Sequence, residues 1–226
     1  MFQHYVFSGK DLLTDNRDIY LDSYNLFKNV WESTLKEING CDFRLFSNDF
    51  TRQDRIHALF YGSDCAGLTC LRKINLDNPV DLEDSWLRIW HQNHFDEIKS
   101  QSGPESYINS YFTVNQNFRK SLQKNSTPVG YILGCLSFLD QLHIESPTVL
   151  GMMRMDRSMH KLGALWGSEL IEGSVEYNNT PTDLVVFKKN RVEQASKLFS
   201  PIVYELWNQR INFIQEEQNE KHKRAA

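Results

Sequence analysis

The stretch from Tyr107 to Gly173 constrains the fold more than any other part of the sequence. Residues 107–114 are aromatic and β-branched, which is typical of a buried strand, and residues 148–154 predict a second one. A helix is predicted to begin between them at Thr127-Pro128, because Thr caps helix N-termini and Pro fits the first helical turn. Two strands joined by such a crossover should lie parallel, since a tight hairpin cannot reverse the chain over that distance.

The sequence around this stretch predicts helices and strands that complete a mixed sheet. Apolar residues recur every three to four positions over 18–38, which is typical of an amphipathic helix, and Asn39-Gly40 ends it. No element is assigned to residues 1–17, which are polar and mixed. The other predicted elements are a hairpin over 57–61 and 65–74, helices over 86–98 and 158–165, a strand over 183–188, and a helix from 191 to about 217, with Pro201 beside a Ser that can restart it.

Composition narrows the class of protein. The 226 residues are 40% hydrophobic, enough for the core of one domain, and the formal net charge of −4 gives no electrostatic reason to expect a nucleic-acid partner. No apolar run approaches the length of a bilayer span, and the start lacks the parts of a signal peptide, so we expect a cytoplasmic protein without a membrane span. The cysteines lack C-x-x-C spacing and His91-x-x-His94 lacks a third ligand, so we expect no metal.

Short motifs flank the two central strands in a fixed order. They are V-x4-R at Val114 and Arg119, an inserted polar stretch, a Thr-Pro-Val helix start, M-x2-L at Met159 and Leu162, a small-residue-Gly turn, and, upstream, a Gly-to-Arg strand segment over 67–73. In this order and spacing the chain resembles, over roughly residues 20–175, the acyl-homoserine-lactone (autoinducer) synthases and the N-acyl amino acid synthases. Both groups are a branch of the GNAT acyltransferases.

The resemblance implies an α/β (α+β) fold of the GNAT type: a mixed, largely antiparallel twisted sheet with a central parallel strand pair, flanked by helices. It implies an acyltransferase domain over residues 1–190, with a C-terminal helix and charged tail over 191–226 that pack on the same domain or on a dimer partner. The implied activity moves an acyl chain from an acyl-CoA or acyl carrier protein thioester to a small, amino acid-like amine. Two alternatives remain open: an acyl-thioester-binding or regulatory protein without turnover, and a true acyl-homoserine-lactone synthase with a substituted site.

The loop after Val114 carries the predicted donor site. A run of backbone amides between a strand end and a helix, with Arg119 and Lys120 beside it, can hold a phosphate-bearing donor, although a solvated basic loop is the other interpretation. The loop contains no glycine before Gly130, which departs from the acetyl-CoA enzymes. The residues expected to bind the donor are Thr113, Val114, Phe118, Arg119 and Lys120.

The acceptor side is predicted from the resemblance and from its departures. The family's acids and pocket tryptophan correspond to Asp49, Asp54 and Trp31, and its strand arginine to Arg72, which we expect either to line the pocket or to pair with Asp49 or Asp54. The family's Glu and Arg appear here as Asn109 and Tyr111, and an amide cannot deprotonate an amine. The expected catalytic set is Asn109, Tyr111, Asp49 and Asp54; the expected substrate-binding set is Trp31, Arg72, Phe112, Leu150, Met152 and Asp156, with His57 a further base candidate.

Overall fold

The computed structural model describes residues 1–42, 44–119 and 127–214. Its strands are β1 (Phe2–Phe7), β2 (Arg55–Tyr61), β3 (Asp64–Asn75), β4 (Glu105–Val114), β5 (Thr148–Arg154), β6 (Glu169–Tyr177), β7 (Thr180–Lys188) and β8 (Ile211–Asn212). Its helices are α1 (Arg17–Asn39), α2 (Asn48–Thr51), α3 (Pro79–Leu82), α4 (Gln92–Ser102), α5 (Val129–His143), α6 (Met159–Leu165), α7 (Lys189–Ser196) and α8 (Pro201–Asn208), and a 3₁₀ turn covers Gln116–Phe118.

The strands form one mixed sheet in the order β6-β7-β5-β4-β3-β2-β1-β8. The central pair, β4 and β5, is parallel, and so is the short edge pair β1 and β8, whereas the other neighbours are antiparallel. Helix α5 makes the crossover between β4 and β5. The predicted fold class, a largely antiparallel mixed sheet with a central parallel pair and flanking helices, is therefore confirmed.

Helices cover both faces of the sheet, and the alternation of strand side chains supplies each face with its core. On the α1 face, Leu68 and Cys70 pack with Phe27 of α1, and Ile108 packs with Phe95 of α4. The opposite α5 face packs mainly against α5, with α6, α7 and α8 alongside. Helix α5 is almost wholly buried, and each large apolar side chain that it removes from water contributes about 1.5–3 kcal/mol.

The C-terminal region differs from its prediction. The helical region predicted from 191 to about 217 restarts at Pro201, as the sequence allowed, since α7 ends at Ser196 and α8 begins at Pro201, but the helical prediction beyond Asn208 is wrong. Proline lacks the backbone N–H that a continuing helix needs, and Ser200 before it is extended, with ψ of 150°. The chain then enters β8 at Ile211. The predicted charged tail beyond 214 lies outside the described residues.

Two strands and one helix boundary also differ from expectation. Strand β1 lies in the unassigned stretch 1–17, and β6 follows α6 where no strand was predicted. The helix predicted over 86–98 begins later, at Gln92, because His91 is extended and its backbone N–H donates to His94 Nδ1 over 3.2 Å, which fixes the N-terminus. Within the described ranges, every helix is too short or too polar to cross a bilayer.

Candidate functional site

The parallel ladder between β4 and β5 is short. It pairs Tyr107 with Val149, and ends with Asn109 opposite Gly151. Strand β4 continues to Val114 paired with β3, and β5 continues to Arg154 paired with β7. The two strands therefore share no ladder hydrogen bonds beyond Asn109 and Gly151, and we call this opening the β4–β5 gap. It lies at the carboxyl ends of two parallel strands, where open α/β sheets bind ligands.

A β-bulge in β4 lies beside the gap. Leu68 pairs with Thr113 but Cys70 pairs with Ser110, so one residue of β3 faces two residues of β4. Tyr111 lies in this bulge and has a φ of 54°, a left-handed conformation that costs a non-glycine residue about 1–2 kcal/mol. The bulge directs Tyr111 to the α1 face, against Phe27, and Phe112 to the α5 face.

On the α1 face the Tyr111 hydroxyl joins a chain of charged side chains, which we call the α1-face cluster: Asp49, Arg52, Arg72, Asp84 and Tyr111. The hydroxyl donates to Asp49 Oδ1 over 3.0 Å, and Arg52 Nη2 donates to the same oxygen over 3.0 Å. Arg52 Nη1 reaches Asp84 Oδ2 at 2.9 Å, and Arg72 Nη2 lies 2.9 Å from that oxygen. The cluster thus alternates two acids with two guanidinium groups.

The cluster keeps the phenol of Tyr111 neutral. Burial and the negative charge of Asp49 raise the pKa of Tyr111 well above its usual value, against the opposing effect of Arg52. At neutral pH Tyr111 is therefore a hydrogen-bond donor and not a base. The carboxylate of Asp49, which receives this hydrogen bond, is the group in the pair that can accept a proton.

Trp31 belongs to the same part of the α1 face. Its indole N–H donates to Thr113 Oγ1 over 2.9 Å, and its ring meets that of Tyr111 edge to face at 5.4 Å between centroids. The structure thus brings together Trp31, Asp49, Tyr111 and Thr113, which the sequence placed in three separate segments.

Arg72 and Asp54 do not pair as predicted. Arg72 pairs with Asp84, and the expectation of a pair with Asp49 or Asp54 is wrong because Arg52 binds Asp49 and Lys10 binds Asp54. Asp54 also accepts the backbone N–H of Lys73. A surface pocket of about 380 Å³ lies between these groups; it is lined by Lys10, Arg52, Asp54, Arg72, Lys73, Ile74, Asn75 and Asp81.

Asn109 and Phe112 lie on the α5 face, away from Asp49. The Asn109 side chain accepts from Thr69 Oγ1 over 2.8 Å and donates to Ser137 Oγ over 3.3 Å, at the last pair of the ladder. The Phe112 ring packs on Trp166. The predicted catalytic residues are therefore divided between the two faces of the sheet.

The predicted donor loop is only partly described. Arg119 is exposed, and its Nε donates to the carbonyl oxygen of Val114 over 3.3 Å. Phe118 is buried near the rings of Phe2 and Tyr61. Lys120 lies outside the described residues.

Three predicted substrate-binding residues lie on β5 or just after it. Leu150 is fully buried on the α1 face with Ile108 and Val186, and Met152 is partly buried beside it. Asp156 is exposed and accepts two hydrogen bonds from Arg154, at 3.0 and 2.6 Å. Salt-bridging to Arg154 lowers the pKa of Asp156.

Four polar side chains are sealed beneath α5, and the sequence had indicated only one of them, His57, as a candidate base. We call them the buried network: His4, Arg55, His57 and Asp140. Asp140 Oδ1 accepts from Arg55 Nη2 at 2.8 Å, and its Oδ2 lies 3.1 Å from His57 Nε2. His57 Nδ1 lies 3.2 Å from His4 Nε2. His57, named as a base candidate, is thus buried on the opposite face of the sheet from Asp49.

Opposing effects set the charges of the buried network. Burial alone would raise the pKa of Asp140, but the charges of Arg55 and His57 outweigh it and hold the pKa below the usual range. Burial, with His57 adding to it, lowers the pKa of His4 well below its usual value, so His4 is neutral. The signal in the sequence was Asp140 itself, an acid within an otherwise apolar helix, which requires a buried partner.

No metal site is found in the described part of the chain, where no three His, Cys, Asp or Glu side chains are grouped to hold an ion.

No protein-family model and no curated protein matches this sequence. Solved structures do match its fold. A CoA-dependent acyl-homoserine lactone synthase, BjaI, with SAM and isopentyl-CoA, is 12% identical, with a TM-score of 0.56 over 87% of this chain and 89% of that one. FeeM, an N-acyl amino acid synthase from uncultured soil microbes, is 8% identical, with a TM-score of 0.57 over 88% and 99%. An acyl-CoA N-acyltransferase from Pseudomonas aeruginosa is 9% identical, with a TM-score of 0.50 over 82% and 99%.

These matches and the gapped central strand pair define a GNAT-like fold. Within that fold class, the chain is similar in structure to acyl-homoserine lactone synthases and to an N-acyl amino acid synthase, as the order of its sequence motifs predicted. At 8–13% identity the similarity establishes the fold and leaves the chemistry to be argued from the site.

Proposed function

We propose that this protein is an N-acyltransferase that moves an acyl chain from an acyl-CoA or acyl carrier protein thioester to a small, amino acid-like amine. The observation that carries the proposal is the β4–β5 gap, which opens at Asn109 and Gly151 beside the strained Tyr111. A gap between two parallel strands exposes backbone hydrogen-bonding groups to an extended ligand. The fold neighbours support this reading, since they include an N-acyl amino acid synthase and an acyl-CoA N-acyltransferase, and one of them contains isopentyl-CoA.

The donor would enter the gap with its thioester beside β4. A backbone N–H near Thr113 or Val114 would stabilise the negative charge that develops on the thioester oxygen during attack. The phosphate-bearing end would extend towards the loop after Val114, where the exposed side chain of Arg119 lies at the strand end. A carrier protein would present its thioester at the same opening.

The acceptor would approach from the α1 face, where Asp49 and Tyr111 lie. The amine nitrogen attacks the thioester carbon, a C–N bond forms, the C–S bond breaks, and the sulfur leaves as a thiolate that takes a proton from water. Asp49 would accept the proton that the amine loses, while the neutral phenol of Tyr111 and Arg52 hold its carboxylate in place. Asn109, an amide held by Thr69 and Ser137, would position the start of the gap and transfer no proton.

A second candidate function is a protein that binds an acyl thioester without turnover. The observation that favours it is the saturation of the α1-face cluster, in which Asp49 is already held by Tyr111 and Arg52. Because Asp49 Oδ1 already accepts both hydrogen bonds, an incoming amine would have to displace one of these donors or use the other carboxylate oxygen.

Mass spectrometry separates the two functions. The protein would be incubated with a panel of acyl-CoA and acyl-carrier-protein donors together with amino acids, including S-adenosylmethionine as an acceptor. We expect N-acyl amino acids and no acyl-homoserine lactone. Donor binding without product in any combination would support the second function, and acyl-homoserine lactone would instead identify a synthase of that class.

Arg119→Ala tests the donor side alone. Loss of one charge-assisted hydrogen bond to phosphate should cost roughly 1.5–3 kcal/mol, or about ten- to a hundredfold in donor affinity, with the acceptor KM unchanged. Arg17→Ala is the matched control, because Arg17 is an exposed arginine at the far end of α1 from Trp31. Equal donor affinity of a folded Arg119→Ala protein and the control, measured by calorimetry, would place the donor elsewhere.

A further inference from the structure

A fully buried tryptophan lies behind the β4–β5 gap on the α5 face. The side chain of Trp166 is 1% exposed, and its ring centroid lies 5.7 Å from that of Phe112 and 5.6 Å from that of Phe138. Phe112 is the residue that the bulge directs to this face, just past the end of the ladder. Trp166 therefore connects the edge of the gap to the body of α5.

Two glycines make room for the rings. A Cβ at Gly134 of α5 would lie 2.1 Å from the Trp166 ring, so only glycine permits this approach. A Cβ at Gly151, the last β5 residue of the ladder, would lie 3.0 Å from the ring of Phe187, which packs 4.2 Å from that of Phe138. We call these four rings the aromatic plug: Phe112, Phe138, Trp166 and Phe187.

The chemistry of the two faces determines which way an acyl chain would run from the gap. The α1 face beside Tyr111 holds the charged side chains of Asp49 and Arg52, and an alkyl chain there would remove their charges from water without a compensating partner. The α5 face beside Phe112 is apolar. The aromatic plug therefore occupies the space that an acyl chain leaving the gap would enter.

We propose that the aromatic plug restricts the donor to short acyl chains, and that Trp166 is the residue that sets the limit. This inference rests on the proposed acyltransferase function and names its donor class. Protein interiors are packed at crystal-like density, so a longer chain has to displace a ring that α5 and β4 hold on two sides. Each methylene that finds apolar space gains about 0.8 kcal/mol, or about fourfold in affinity, and wild-type protein should show no such gain.

The test uses a series of straight-chain acyl-CoA donors with two to ten carbons. The affinity for each donor is measured by calorimetry, and kcat/KM is measured with one amine acceptor. Wild-type protein should bind and use the shortest donors best. Trp166→Ala should reverse the order, gaining about fourfold in affinity for each of the first added methylenes. Trp166→Leu, which keeps more of the core, should shift the preference in the same direction by a smaller factor and serves if the alanine variant does not fold.

Trp90→Ala is the matched control. Trp90 is also buried, at 6% exposure, but packs with Phe95 of α4 on the other face of the sheet. The Trp90→Ala variant should be less stable than the wild type and should keep the wild-type order of preference for acyl chain length. A shift of preference in Trp90→Ala and none in the folded Trp166 variants would overturn the inference.

The outcomes also separate this inference from the proposed function. Wild-type protein that uses ten-carbon donors as well as two-carbon donors would overturn the short-chain limit and leave the acyltransferase function intact. Chain-length-dependent binding that Trp166→Ala reverses, without product from any donor, would uphold the limit and overturn the proposed catalysis. Absence of donor binding at every chain length would overturn both.

Discussion

The two faces of the sheet carry the same kinds of charged side chain in different settings. In the α1-face cluster the charged side chains of Arg52 and Asp49 are 28% and 21% exposed. In the buried network those of Arg55 and Asp140 are 8% and 0% exposed. Arg52 and Arg55 are three residues apart in sequence, yet only the first belongs to a group that solvent and a ligand can reach.

Burial distinguishes charged side chains that hold the fold together from those that are available to a ligand. Where solvent reaches a charge pair, either charged group can exchange its partner for a ligand at a modest cost in free energy. Where the pair is sealed, removing one partner leaves an uncompensated charge in the interior, so the group is fixed in place. The α1-face cluster is suited to binding and proton transfer, and the buried network to joining β1, β2 and α5.

The largest effect should follow from Asp140→Asn. Without the carboxylate, Arg55 and His57 lose their common partner, and breaking a buried ion pair in this way costs about 3–5 kcal/mol of the free energy of unfolding. Urea denaturation of Asp140→Asn beside Asp49→Asn measures it, with about 1 kcal/mol expected for the partly exposed Asp49. Equal losses in the two variants would remove the distinction between the faces.

Asp49→Asn should come next, and it should act on catalysis. Removal of the proton acceptor should lower kcat by about a hundredfold or more, while donor affinity stays within about twofold and stability falls by about 1 kcal/mol. Asp77→Asn, which removes an exposed partner of Lys99, is the control and should keep full activity. Steady-state kinetics in which both variants match the wild type would mean that Asp49 accepts no proton.

The pH dependence of stability should distinguish His4 from Asp140 within the buried network. His4 has a lowered pKa, so its contribution is present above the unfolded pKa of about 6.5 and is lost as pH falls below it, by up to about 1.4 kcal/mol per pH unit. The pKa of Asp140 is also lowered, and its contribution is lost only below about pH 4. His4→Gln should therefore flatten the stability profile between pH 6.5 and about 4.5.

Thermal melts across this pH range make the measurement. His91→Gln is the control, because His91 is exposed at the start of α4. A profile of His4→Gln that runs parallel to the wild type would show that protonation of His4 does not oppose folding.

The smallest effect should come from Lys10→Ala. Lys10 pairs with Asp54 at the surface pocket, and its side chain is 57% exposed. Exposed pairs contribute about 0–1 kcal/mol, so chemical denaturation should detect little change and high salt should reduce it further. A loss comparable to that of Asp140→Asn would show that exposure does not separate the two kinds of pair.

Regular periodicity explains the part of the fold that the sequence predicted. The apolar spacing of residues 107–154 specifies strand, helix and strand, and the length of the crossover requires parallel pairing. β1 escaped prediction because His4 and Gln3 interrupt its apolar pattern, and β6 because it is a bulged edge strand with charged residues and Gly173. These positions depend on tertiary partners that local patterns do not encode.

The candidate site was predictable in its parts and not in its connections. Trp31, Asp49 and Tyr111 were each named from the family resemblance, and the structure places them within one cluster. The alternative in which Arg72 pairs with Asp49 or Asp54 was wrong. Its observed partner, Asp84, lies in an irregular segment whose position no periodicity specifies. Trp166 was not predicted as a site residue, since its contact with Gly134 is visible only after α5 and α6 are packed.

The pairing of β8 with β1 has a consequence for how the chain is made. The two ends of the described chain meet in this edge, where Gln3 donates to the carbonyl oxygen of Gln209, 206 residues away, and the ring of Phe213 stacks on Tyr5. Synthesis proceeds from the N-terminus, so the outer edge of β1 stays without a strand until β8 has left the ribosome. Such long-range contacts slow folding, and an open strand edge invites pairing with other chains. The last few described residues therefore protect the first ones from aggregation.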